Sequence, residues 1–147
     1  MVEGVVVQVS KQNNYLLKVY YAVRFRGSVA TFVWSSSPKS SLKSSVDLKV
    51  RVNPKEIFWL ARCLNCSFRD GIIFAPNFDV YNRLIIYAFV RPTIRSDDEA
   101  KELRDVVINM GYVDAFYWAS KFREAWWNNG NYKSGLKLAK AFRLFFR

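Results

Sequence analysis

Hydrophobic positions along this chain alternate in two stretches and then change period. Between Tyr15 and Arg26, one side reads Tyr15, Leu17, Val19, Tyr21, Val23, Phe25 and the other Lys18, Tyr20, Ala22, Arg24, Arg26. Strand side chains point alternately to opposite faces, so this segment predicts a strand with an apolar face and a ring-and-cation face. Val2–Val9 predicts a preceding strand, closed by Lys11-Gln12-Asn13-Asn14. Gly27-Ser28 predicts a tight turn into a strand over Val29–Trp34. The serine-rich stretch Ser35–Ser45 predicts a flexible loop, and Val46–Val52 a fourth strand with Asp47, Lys49 and Arg51 outward. Gly71–Phe74 predicts a short strand. Arg83–Arg91 predicts a long one, with Leu84, Ile86, Ala88 and Val90 on one side and Arg83, Ile85, Tyr87, Phe89 and Arg91 on the other.

The remainder has helical spacing. Asn53-Pro54-Lys55-Glu56 supplies a cap, a first-turn proline and an acid at capping-box spacing, followed by Ile57, Leu60, Ala61 and Leu64 as a buried stripe. Ser96-Asp97-Asp98-Glu99 opens a second helix ended by Gly111. Asp114–Trp127 and Lys133–Phe146 complete a ring-rich tail. Antiparallel strands with segregated helices predict an α+β fold, an antiparallel sheet of five to six strands with helices packed on one face. Residues 1–92 form the expected sheet core and 93–147 a helical region packed on it, together one structural domain.

The chain has 147 residues, a formal charge of +11, and 51% hydrophobic and 17% aromatic residues, which excludes a mostly disordered protein. Such an excess of cations attracts polyanions. The apolar run Leu84–Val90 is far too short to span a membrane, and Glu3-Gly4 interrupts any secretory signal, so a soluble intracellular protein without a membrane partner is expected. The absent histidine and scarce glutamine point to a thermophile; the many asparagines point the other way.

The absence of histidine also removes the commonest general base and metal ligand. Cys63 and Cys66 supply two of the four ligands a structural zinc needs, with no second pair, and read as small half-buried residues rather than a redox couple. Asp79 with Glu99-Ala100-Lys101 matches the acid-plus-lysine pattern of metal-dependent nucleases. Yet Glu99 falls in a capped first helical turn, and Asp97, Asp98, Glu99 and Glu102 together read as a helix start, which the helix dipole accounts for. No cofactor and no catalytic role are therefore expected.

The binding expectation rests on Lys18, Tyr20, Arg24, Arg26, Phe32, Trp34, Lys49, Arg51, Arg83, Tyr87, Phe89 and Arg91. Single-stranded nucleic acid stacks its bases on rings and needs cations along its phosphates. Arg83 and Arg91 bracket Tyr87 and Phe89, and unpartnered arginines are rarely buried, so those two rings are expected to be exposed. Phe32 and Trp34 could equally be a second core beneath the tail.

A strand-rich core with Tyr20, Arg24, Arg26, Phe32, Trp34, Tyr87, Phe89 and Arg91, followed by a charged helical tail, resembles the archaeal single-stranded-DNA-binding family known as ThermoDBP. The resemblance implies an apolar cleft with basic borders that holds single-stranded DNA with little sequence preference. The last helix departs from that pattern, carrying Leu136, Leu138 and Leu144 but no leucine heptad. The leading expectation is thus non-catalytic binding of single-stranded DNA or RNA. The alternative is an adaptor of a replication or repair assembly that uses the aromatic tail as a protein contact.

Overall fold

The computed structural model of the chain describes residues 5–9, 16–36, 45–129 and 132–146. The predicted turn at 11–14 and most of the serine-rich loop lie outside them.

The fold is α+β. Strands β1 (Val5–Val9), β2 (Leu16–Arg26), β3 (Val29–Ser35), β4 (Ser45–Arg51), β5 (Ser67–Arg69) and β6 (Ile72–Ala75) form an antiparallel sheet. Its order is β4-β3-β2-β6-β5, with β1 paired to the opening of β2. The β2–β3 turn places Gly27 at φ +58, which glycine adopts without a Cβ clash. In the β5–β6 turn, Asp70 and Gly71 both have positive φ, the signature of a type I′ hairpin. The β3–β4 register shifts between Phe32 and Val33, leaving Asp47 as the extra residue of a bulge.

Among the described residues, five α-helices follow or interrupt the strands: α1 (Pro54–Cys63), α2 (Phe78–Val90), α3 (Asp97–Asn109), α4 (Tyr112–Asn129) and α5 (Tyr132–Phe145). Asn53 caps α1, its side chain accepting from the Lys55 N–H at 3.0 Å, and Ser96 caps α3 through the Glu99 N–H at 3.1 Å. One core joins Val19, Tyr21, Val23, Phe32, Leu48 and Ile73 of the sheet to residues of all five helices, so the helices pack on a single sheet face.

Helix α2 overturns the predicted strand over Arg83–Arg91. A run that is apolar at both odd and even positions does not distinguish the two periods. The turn before it does, since Asn77 accepts from the Val80 N–H at 2.8 Å and Asp79 bonds Arg83 one turn on at 2.9 Å. The helix is buried on every side, touching α1, α3, α4, α5 and the strands β2, β4 and β6.

Several of its polar side chains are consequently bound within the protein, whereas the buried Tyr81 hydroxyl has no hydrogen-bond partner among the described residues. Arg83 donates to Asp79 and to the carbonyls of Val107 (2.7 Å) and Ile108 (3.1 Å). Tyr87 donates its hydroxyl to Glu56 Oε1 at 3.1 Å, and burial, followed by the charge of Glu56, pushes its phenol up so that it stays a donor. Arg91 donates to both oxygens of Glu56 (2.7 and 3.2 Å) and to the Ile94 carbonyl.

Two substitutions test this hub. Asn77→Ala is expected to cost about 1 kcal/mol. Glu56→Ala, which strands both Tyr87 and Arg91, is expected to cost about 1–3 kcal/mol. Both should lower the urea midpoint with an unchanged denaturant slope.

Candidate nucleic-acid interface

The sheet face turned away from the helices collects cations from three long-separated stretches of chain. Antiparallel pairing sets Arg24 beside Thr31 and Thr31 beside Lys49, and likewise Arg26 beside Val29 and Val29 beside Arg51. Two basic residues on β2 and two on β4 therefore flank β3 on one face. Each pair across β3 is roughly 10 Å apart and each pair along a strand roughly 7 Å. Arg26, Lys49 and Arg51 are exposed and Arg24 is half-buried. Arg51 donates to Ser28 Oγ at 2.9 Å, which steadies its guanidinium.

A fifth cation, Arg69, was not among the expected residues. β5 pairs Arg69 with Ile72, and continuing the Val23–Ile73 register by one residue sets Ile72 beside Arg24. Phe68, of opposite parity, stacks on Phe58 of α1, so Arg69 points to the helix-free side. The row Arg69, Arg24, Lys49 thus crosses the five strands over roughly 19 Å. The signal was Asp70-Gly71 between short apolar runs, a hairpin cue that places Ser67–Arg69 in a strand.

Among the described residues, the strands place no acid on this face. Asp47, the acid of β4, turns in the bulge toward α4 and accepts from Arg123 Nε at 2.8 Å. The other ion pairs among the described residues, Asp79–Arg83, Glu56–Arg91 and Glu99–Arg143, also lie among the helices.

The rings do not follow the cations. Tyr20 shares the basic face but is only 8% exposed, and Ala22, Val33 and Phe74 form a small second buried cluster there. Phe32 is opposite Val23 and belongs to the main core. Trp34 is opposite Tyr21, on the helix side. Tyr87 is wholly buried on α2, and Phe89 stacks on Phe122 of α4 at 4.9 Å. Arg83 and Arg91 are engaged among the helices, as described. The side chain of Lys18 lies outside the described residues. Of the twelve expected residues, Arg24, Arg26, Lys49 and Arg51 come together as cations on one sheet face, the last three of them exposed.

Exposed rings occur instead at the β4 edge. A groove of about 630 Å³ is lined by Trp34, Ser45, Val46, Asp47, Arg123, Glu124 and Trp127. Trp34 is 43% exposed and Trp127 72%. The floor is fixed by Arg123, which donates to Asp47 and to Asn82 of α2 (2.8 Å each) and lies 5.1 Å from the Phe78 ring centroid. Val46 is opposite Val33 on the basic face yet lines this groove, so the two surfaces meet over the β4 edge.

Glu99 accepts from Arg143 at 2.6 Å, and Asp79 pairs with Arg83, so each acid of the nuclease-like pattern has a structural partner. Among the described residues, no group of three or more Cys, Asp or Glu is placed to hold a metal ion, and no helix is long and apolar enough to cross a membrane. No family model, curated protein or solved structure matches the chain.

The two thiols differ. Cys63 is exposed, whereas Cys66 is half-buried and burial pushes its thiol up to about 12. A maleimide at neutral pH is expected to label Cys63 quickly and Cys66 slowly, read by peptide mass spectrometry; equal rates would contradict this placement.

Proposed function

We propose that this protein binds single-stranded nucleic acid, with phosphates along the helix-free sheet face and bases against the tryptophans at its edge. The observation that carries the reading is the convergence of Arg24, Arg26, Lys49, Arg51 and Arg69 on one face, with no strand acid among them. Cations roughly 7–10 Å apart on a rigid sheet suit a backbone that bears a charge at every nucleotide. Electrostatics supplies affinity without reading sequence.

Selectivity for unpaired bases requires exposed planar groups, which the basic face lacks. Trp34 and Trp127 offer them next to it, in a groove whose volume lies in the range of small-ligand sites. A strand lying on Lys49 and Arg51 and turning over the β4 edge brings its bases to these rings. A paired base keeps its faces covered by its neighbours in the duplex, so the groove favours a single strand. The resemblance to the archaeal DNA-binding family points to DNA over RNA.

Binding of a labelled oligonucleotide should weaken with salt at a log–log slope of roughly −3 if four phosphates are neutralised. Arg26→Gln and Lys49→Gln should each flatten that slope by about 0.7. Trp34→Ala and Trp127→Ala should leave the slope unchanged and cost about 1–3 kcal/mol per stacked base, lost selectively from the single strand. Equal affinity for single-stranded and duplex DNA in the unaltered protein would remove the stacking half of the reading. A flat salt dependence would remove all of it.

A further inference from the structure

Helix α4 also exposes rings in its N-terminal half. Residues 114, 117 and 121 recur at i, i+3 and i+7 and therefore share one side of the helix. Tyr117 stands between Asp114 and Lys121 and is 52% exposed. The Lys121 ammonium lies 5.5 Å over the Tyr117 ring. Val113 is exposed beside it, and Phe145 of α5, 68% exposed, borders it across Trp118, whose ring contacts both Tyr117 (5.6 Å) and Phe145 (5.7 Å). Asp114 is exposed and takes part in none of the ion pairs among the described residues.

We infer that this face of α4 binds a second copy of the chain, antiparallel, about a two-fold axis through Tyr117. The charges select that occupant. One acid lies three residues before the ring and one base four residues after it, so reversing the helix direction sets Asp114 against Lys121 twice over. A parallel approach sets like against like. An acidic protein or a polyanion would meet Asp114 without a matching cation beyond Lys121. Tyrosine, phenylalanine and valine around the axis give the apolar centre of an interface, and the charges give its rim. The surface is small, so the association is weak, in the micromolar range.

Sedimentation velocity of the full chain, nuclease-treated so that no nucleic acid bridges the copies, tests this across a micromolar concentration series. The expected result is a rise from 17.2 kDa toward twice that mass. Asp114→Lys and Lys121→Asp should each weaken the dimer by about tenfold, since each places like charges opposite one another at both ends. The double variant should restore it, which also controls for loss of an acid from the first turn of α4. Tyr117→Ser should abolish it with an unchanged melting curve, because that ring is half in solvent. A monomer at every concentration, or a dimer indifferent to the single charge swaps, or a double variant that fails to recover, would overturn the inference.

Discussion

Helix α2 has no side that can face water, and the surrounding structure is arranged around that constraint. Each buried large side chain among Tyr81, Leu84, Ile85, Ile86 and Tyr87 contributes roughly 1.5–3 kcal/mol of apolar burial. The same burial favours matching the helix's polar groups inside the protein, and most are matched, although the Tyr81 hydroxyl and Asp79 Oδ1 are buried with no hydrogen-bond partner among the described residues. Asn82 is therefore held by Arg123 of α4, Arg83 by the last carbonyls of α3, and Tyr87 by Glu56 of α1. The polar residues of one buried helix thus fasten three others, and through Arg123 and Asp47 they also fasten the edge of the sheet.

That arrangement decides where function can lie. With the helices committed to one sheet face, the cations of β2, β4 and β5 are left together on the other, and arginines that look comparable in the sequence are taken out of play. Arg91 and Arg26 each close an alternating segment that mixes rings and charge. One ends inside a double hydrogen bond to Glu56, the other on an open surface.

Much of this was legible in the chain. Alternation located β2, β3 and β4, and the caps at Asn53 and Ser96 located α1 and α3. The four cations on β2 and β4 were read correctly as sharing a face. Phe32 and Trp34 were not, although the information was present: a two-residue turn at Gly27-Ser28 sets Arg26 opposite Val29, so Val29, Thr31 and Val33 share the arginine face and Phe32 and Trp34 the other. The strand reading of Arg83–Arg91 failed for a different reason. A helix buried all round and a strand buried on both faces have the same apolar composition, and the deciding cap at Asn77 lies outside the run. The tryptophan groove could not be read at all, because it joins residues almost a hundred positions apart through an α4 placement that depends on α2.

The bulge at Asp47 has a wider meaning for solubility. Among the described residues β4 pairs with β3 alone, so its outer rim offers main-chain donors and acceptors to any passing strand. The irregularity bends that rim, and Lys49 and Arg51 repel another copy approaching side by side, two devices that keep sheet edges from joining into aggregates. A chain with those cations neutralised would lose its guard together with the proposed phosphate contacts.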